Sequence, residues 1–164
     1  MTLEDDINQH AFRSEYQKSA LNLIYTFNWV NEKINRKFEP FDITQQQFNI
    51  LRILRGAGQP LSTLQIRQRM LDKMSDTSRI VDRLIKKGMV KKTIRREDRR
   101  LVDVLLTDKG KKLLQSMDVL DEEVDAIFKW LNDEEARQLN QLLDKIRTSD
   151  SVAEDKPDEN PIAG

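Results

Sequence analysis

The chain has 164 residues, 34% of them charged, and its 28 Lys and Arg balance its 28 Asp and Glu. The absence of cysteine excludes disulfide scaffolds, thiol redox sensors and thiolate metal sites, and the single histidine, His10, cannot form a histidine cluster. No apolar run is long enough to cross a bilayer and the acidic N-terminus lacks a hydrophobic signal segment, so we expect one compact cytoplasmic domain with no membrane partner.

A long amphipathic helix is predicted over residues 11–37, after a frayed N-terminus. Its apolar residues recur every three or four positions on one stripe, which is the period of a helix. Further apolar side chains widen this stripe, so the helix needs cover on more than one side, and we expect a second subunit to supply it. The stripe comprises Phe12, Tyr16, Ala20, Leu23, Phe27, Val30 and Ile34.

Two shorter helices follow, and each begins with a capping box, in which two side chains satisfy free backbone N–H groups of the first turn. Thr44 and Gln47 form the first box, and Ser62 and Gln65 form the second. The second of these helices is joined by a tight segment to the next helix, as in a helix-turn-helix.

The stretch from residue 74 to residue 107 predicts a polar-faced helix followed by a hairpin. Ile80, Val81 and Leu84 mark the buried side of the helix, and Gly88 ends it. Two aliphatic runs, residues 90–94 and 101–106, flank the charged sequence RREDRR, which is too polar to be buried. A short helix that leads into a basic-tipped hairpin is typical of a winged helix-turn-helix.

Two helices and a tail complete the chain. Thr107 or Asp108 caps a helix predicted to run without interruption to about residue 131, and Asn132 with Glu135 caps the last helix. We expect the two helices to form a helical hairpin that pairs with the first long helix. The acidic, proline-bearing residues 149–164 are expected to be disordered.

The charge is divided unevenly along the chain. Residues 60–112 carry 16 Lys and Arg against 7 Asp and Glu, whereas residues 113–164 carry 5 against 14. A basic centre favours a polyanionic partner, and the acidic part should point away from it.

At the hairpin the chain resembles the MarR family, the multiple antibiotic resistance type of bacterial transcription regulators. The family's wing signature is an Asp, any residue, an Arg, a short apolar strand, a Leu-Thr pair, and a Gly three residues after the Thr. It is found here at Asp98, Arg100, Leu106, Thr107 and Gly110. The resemblance implies a mainly helical fold with a small β-hairpin wing, and a winged helix-turn-helix lobe with long dimerisation helices from both termini.

This domain would span residues 1–150, with the DNA-binding lobe at about 42–107 and the dimerisation helices at about 10–40 and 108–148. Base contacts are expected from the start of the recognition helix, because a helix of this kind enters the major groove by its first turns. A helix-start charge is the alternative role for Asp76. Phosphate contacts are expected from the basic side chains that follow. The base readers are Ser75, Asp76, Ser78 and Arg79, and the phosphate contacts are Arg83, Lys86, Lys91 and Lys92.

The wing tip should enter the minor groove, whose negative potential attracts arginine. The candidates are Arg95, Arg96, Arg99 and Arg100. By the resemblance, Arg100 is the inserted side chain and Asp98 holds it and the turn in place. An ordinary turn aspartate is the alternative role for Asp98.

The predicted function is that of a homodimeric repressor on double-stranded DNA. Its operator would be a near-palindrome with half-sites about 34 to 36 Å apart. The resemblance further implies release by a small aromatic or phenolic molecule, held between the dimerisation helices and the DNA-binding lobe. The absence of cysteine excludes the peroxide-sensing branch. The nominees for the ligand pocket, with core packing as their alternative role, are Tyr16, Tyr25, Trp29 and Phe48.

Three other functions compete with this prediction. An enzyme is disfavoured because the chain has no nucleophile elbow, phosphate loop, metal-ligand cluster or other catalytic residue set, and no motif implies a cofactor. A winged helix that binds proteins would keep the apolar pattern without needing the wing arginines. An RNA binder is disfavoured because a helix cannot enter the narrow major groove of A-form RNA.

Overall fold

The computed structural model describes residues 2–94 and 102–151, which are mainly helical with a small antiparallel sheet, so the predicted fold class is confirmed. The helices are α1 Leu3–Ile7, α2 Glu15–Phe38, α3 Gln45–Ala57, α4 Thr63–Arg69, α5 Thr77–Lys86, α6 Asp108–Ser116, α7 Val119–Asp125 and α8 Asp133–Ser151. The strands are β1 Leu61–Ser62, β2 Val90–Ile94 and β3 Val102–Leu106, and two 3₁₀ turns lie at Glu39–Phe41 and Ala126–Phe128. Among these helices none is long and apolar enough to span a membrane.

The described chain divides into two compact units between Val124 and Asp125. The first unit contains the sheet, helices α1 to α6 and nearly all of α7. The second unit contains α8. The last helix reaches Ser151, so residues 149–151 are helical rather than part of a tail that begins at residue 149. The predicted disorder of residues 152–164 lies outside the described residues.

The sheet has the strand order β1-β3-β2. The predicted hairpin is confirmed, with β2 and β3 antiparallel and Val90 opposite Leu106. The third strand is only two residues long and pairs Leu61 with Val104. Sequence reasoning missed it because two residues cannot show the alternation that marks a strand.

The core of the first unit lies between α3 and the elements packed around it. One side of α3 carries the buried residues Ile50, Leu51 and Leu54. This side packs against α4, α5, α6 and the sheet. The capping boxes predicted at Thr44 with Gln47 and at Ser62 with Gln65 are both present. The local signals therefore set where α3 and α4 begin, and burial holds them together.

The N-terminal segment is ordered, which corrects the expectation of a frayed start. The Asp5 carboxylate accepts hydrogen bonds from the backbone N–H of Thr2 at 3.1 Å and from its hydroxyl at 2.9 Å, which caps α1. Leu3 is buried, and Glu4 forms an ion pair with Lys18 of α2. A helix of five residues is stable here because α2 supplies cover and an ion pair.

The uninterrupted helix expected from residue 108 to residue 131 is wrong. It is broken at Met117 and Asp118, between α6 and α7. The Ser116 hydroxyl donates to the carbonyl of Leu113 at 2.7 Å, which competes with the helical pattern, and Asp118 pairs with Arg55 of α3 at 2.7 Å. The break lets Met117 lie fully buried in the core.

The hydroxyl of Thr77 is buried without a hydrogen-bond partner among the described residues. Because a buried unsatisfied polar group costs about 1 to 3 kcal/mol, we expect Thr77→Val to raise the free energy of unfolding by about 1 kcal/mol. Urea unfolding followed by circular dichroism measures the change.

Thr107→Val is the matched control for this change. The Thr107 hydroxyl donates to the carbonyl of Gly88 at 2.7 Å and accepts from the N–H of Gly110 at 3.1 Å. The same substitution should therefore destabilise at residue 107. A loss of stability of the same size at residue 77 would show that its hydroxyl has a partner in solution.

Candidate nucleic-acid interface

Helix α5 has one buried face and one exposed face. Ile80, Val81 and Leu84 are buried in the core, and Gly88, at φ +71°, ends the helix in a left-handed conformation. The opposite face carries four of the predicted DNA contacts together with Asp82. The exposed side chains on this face are Ser78, Arg79, Asp82, Arg83 and Lys86.

The turn before α5 is built around Asp72. One oxygen of its carboxylate accepts the N–H of Met74 at 3.0 Å, and the other accepts from the Gln46 side chain of α3 at 2.9 Å. The Ser75 hydroxyl donates to the Asp72 carbonyl at 2.8 Å. Ser75 therefore lies half-buried in the turn, not on the exposed first turn of the helix where it was expected.

Asp76 is the N-cap of α5 and is also the ion-pair partner of Arg79. One carboxylate oxygen accepts the backbone N–H of Arg79 at 3.1 Å, and the other lies 3.1 Å from its Nε. The helix-start role considered for Asp76 is thus present in the structure. The Arg79 side chain is 81% exposed, so its guanidinium is available to a partner.

The predicted phosphate contacts differ in whether they form ion pairs within the protein. Arg83, Lys86 and Lys91 are exposed and form no ion pair within residues 2–94 and 102–151. Lys92 pairs with Asp82 at 3.1 Å, so its charge is already balanced within the protein. Exposed cations without an ion pair in the described part of the chain are suited to contact phosphates.

The tip of the wing lies outside the described residues. The predictions for Arg95, Arg96, Asp98, Arg99 and Arg100 therefore remain predictions. The two strands on either side of the tip pair as far as Ile94 and Val102. Asp103 of β3 is buried in register with Thr93, a feature that the sequence signalled only as one acid inside an aliphatic run.

The wing signature has a structural explanation at its C-terminal end. Thr107 caps α6 and bonds the backbone at the start of β2, and Gly110 is buried against Met89. These residues join the wing to α6.

The four ligand-pocket nominees are not brought together. Tyr25 and Trp29 line a groove of about 670 Å³ between α1 and α2. The ion pair between Glu4 and Lys18 also lines this groove. The hydrogen bond between these two side chains lowers the pKa of Glu4 and raises the pKa of Lys18. Tyr16 is 89% exposed, whereas Phe48 packs edge-to-face on Phe38 with ring centroids 4.9 Å apart.

A second cleft, of about 630 Å³, lies between α2, the start of α3 and the turn before α5. Gln45 donates to the side chains of Asn31 and Asn35 at 2.9 Å, which ties α3 to α2 along one wall. Gln46 and Asp72 form another part of the lining. Sequence reasoning missed this cleft, since its lining comes from α2, from α3 and from the turn before α5, and the sequence does not show that these meet.

The described residues contain no cluster of three or more His, Asp or Glu that could hold a metal ion.

The comparisons with known proteins agree on one family. Residues 43–102 match the MarR family. A MarR transcription factor from Planctomyces limnophilus is 32% identical, with a TM-score of 0.62 over 82% of this chain and 98% of that one. The multiple antibiotic resistance protein MarR of Salmonella typhimurium is 29% identical over 80% of this chain and 81% of its own length.

A structure of a mutant MarR from E. coli in complex with operator DNA is 25% identical, with a TM-score of 0.69 over 89% of this chain and 99% of that one. Together with the winged helix and its exposed recognition face, these matches show that the chain belongs to the MarR family of transcription regulators, which are not enzymes.

Proposed function

We propose that this protein is a homodimeric repressor that binds a near-palindromic operator in double-stranded DNA and is released by a small ligand. The observation that carries the proposal is the exposed face of α5, where Arg79, Arg83 and Lys86 lie opposite a fully buried core face. A helix with this division can enter a major groove without exposing apolar surface.

The similarity to the E. coli protein solved with operator DNA supports the DNA partner. Within the proposal Ser78 and Arg79 contact bases, and Arg83, Lys86 and Lys91 contact phosphates. The wing-tip arginines, Arg100 in particular, enter the minor groove as the resemblance implies. A chromosomal partner also accounts for the expected cytoplasmic location.

Exposed apolar side chains on the long helices support the homodimer. On α2 Leu23 is 45% and Phe27 is 63% exposed, and on α8 Leu142 is 60% exposed. Apolar stripes of this extent are normally covered, and a two-fold partner would cover them. We therefore assign residues 10–40 and 108–148 to dimerisation and residues 42–107 to DNA binding within one domain of residues 1–150.

The cleft between α2, the start of α3 and the turn before α5 supports the binding of a small effector. Its volume suits a small molecule, and Phe27 offers an aromatic contact within it. A molecule bound there would touch both α2 and Asp72, and could thereby change where α5 is held. Tyr25 and Trp29, in the other groove, remain the alternative pocket.

Selection of bound duplexes from a random DNA pool tests the proposed function. We expect enrichment of a near-palindrome with half-sites about one helical turn apart, because a two-fold dimer presents two recognition helices. Affinity for the recovered operator should fall steeply with salt, by about one unit of logarithmic slope per phosphate contact. Filter binding or fluorescence anisotropy at several salt concentrations measures the slope.

A pool with no enriched sequence would contradict the proposal and would favour a winged helix that binds protein. An enriched sequence without two-fold symmetry would contradict the dimeric arrangement alone. Sedimentation of the protein with and without DNA then measures whether the protein is a dimer and whether it binds DNA.

A further inference from the structure

Both carboxylate oxygens of Asp76 contact the same residue, Arg79. The first oxygen caps the helix through the backbone N–H of Arg79, and the second meets Nε of the same residue, each at 3.1 Å. The guanidinium is therefore in ion-pair contact with the residue that caps its own helix.

This attachment leaves the far end of the guanidinium free. The Nε atom is the guanidinium nitrogen in ion-pair contact with Asp76, whereas the two terminal nitrogens of Arg79 form no hydrogen bond within the described residues. Arginine reads guanine by donating two hydrogen bonds to O6 and N7, and the terminal nitrogens can supply both donors.

The exposure of the pair indicates what it contributes. The side chains are 81% and 55% exposed, and an exposed ion pair adds little to the stability of a protein. An arginine that is already held in one orientation, however, loses less rotamer freedom when it binds. The effect of the pair should thus appear in recognition and not in folding.

We propose that Asp76 is a positioning residue that orients the Arg79 guanidinium for guanine, and that it does not itself contact a base. This inference rests on the proposed DNA-binding function. According to this inference, Asp76 increases the preference for guanine at the base position that Arg79 contacts.

Asp76→Asn separates the two roles of the carboxylate. Asparagine caps helices as well as aspartate does, but it carries no negative charge to pair with the guanidinium, and its amide nitrogen is a donor. The melting temperature should stay close to that of the unchanged protein. Discrimination between guanine and other bases at the Arg79 position should fall about 5-fold or more, out of the roughly 5- to 150-fold that a bidentate contact supplies. Asp76→Ser, which also caps but is too short to reach the guanidinium, should behave in the same way.

The selected operator and copies with 7-deazaguanine at single guanines are the probes. The modified base lacks N7, so it removes one of the two acceptors that Arg79 would use. The unchanged protein should lose affinity at one guanine per half-site, and Asp76→Asn should lose clearly less at the same guanine.

Asp82→Asn is the matched control. Asp82 lies on the same helix, is exposed and pairs with Lys92 at 3.1 Å, so its substitution changes the charge equally without touching Arg79. It should alter binding to all sequences alike and leave discrimination at the guanine unchanged.

The Arg79→Ala background distinguishes positioning from direct contact. Adding Asp76→Asn to Arg79→Ala should cause no further loss of discrimination, because no guanidinium remains to be oriented. A further loss would mean that Asp76 contacts a base, and would overturn the inference. If the unchanged protein selects an operator but Asp76→Asn and Asp76→Ser discriminate equally well, the inference alone fails. If the unchanged protein selects no operator, the proposed function fails with it.

Discussion

Gly110→Ala is expected to lower the free energy of unfolding by about 2 to 3 kcal/mol, the largest effect on stability that we expect from a single added methyl group. A Cβ at residue 110 would lie less than 3.0 Å from the carbonyl oxygen of Met89 and 3.1 Å from its carbonyl carbon. That oxygen cannot move freely, because it accepts the backbone N–H of Thr107 at 3.1 Å. Urea denaturation of purified protein measures the change.

Gly56→Ala is the matched control, since Gly56 also lies in a helix but has nothing within 4 Å of its added Cβ. It should stabilise by about 0.5 to 1 kcal/mol, because alanine loses less backbone entropy in a helix than glycine. Equal stability of the Gly110→Ala protein and the unchanged protein would show that α6 can withdraw from β2 at no cost. The steric account of the wing signature would then be wrong.

Arg79→Ala is expected to have the largest effect on recognition. Loss of a bidentate contact to guanine costs about 1 to 3 kcal/mol, and a dimer on a two-fold operator loses it in both half-sites. The total should therefore be about 2 to 6 kcal/mol on the selected operator, with relaxed preference at one base position per half-site. Competition between the operator and single-base variants measures both quantities.

Arg83→Ala serves as the comparison, because Arg83 is exposed on the same helix without an ion pair in the described part of the chain. As a phosphate contact it should weaken binding to every sequence alike and reduce the salt slope by about one unit per half-site. If Arg79→Ala also weakened all sequences alike, then Arg79 would be a phosphate contact and a different side chain would read the bases.

Several elements could be predicted because their causes are local. The boxes at Thr44 and Ser62, the cap at Thr107 and the cap at Asn132 all use side chains within three residues of the helix start. The strands of the wing follow from aliphatic runs on either side of a charged tip. The exposed face of α5 follows from its period, and the structure agrees with it.

The features that could not be predicted from the sequence share a different cause. The break at Met117 accompanies the burial of Met117 in the core and the pairing of Asp118 with Arg55, which is more than 60 residues away. Helix α1 is held by an ion pair to α2, and β1 exists only because β3 lies beside it. Periodicity describes one segment at a time, so it cannot include a partner from elsewhere in the chain.

The caps of α3, α4, α6 and α8, the family resemblance and the charged side of α5 can all be predicted from the amino-acid sequence alone. What those side chains contact depends on the tertiary structure. It tied Gln46 to the turn at Asp72, set Gly110 against Met89, and opened a cleft between α2 and the lobe. The physical reason is that caps and periods act within one or two helical turns. The contacts of Gln46 and Gly110 join residues more than twenty positions apart, and their meeting depends on how the whole core packs.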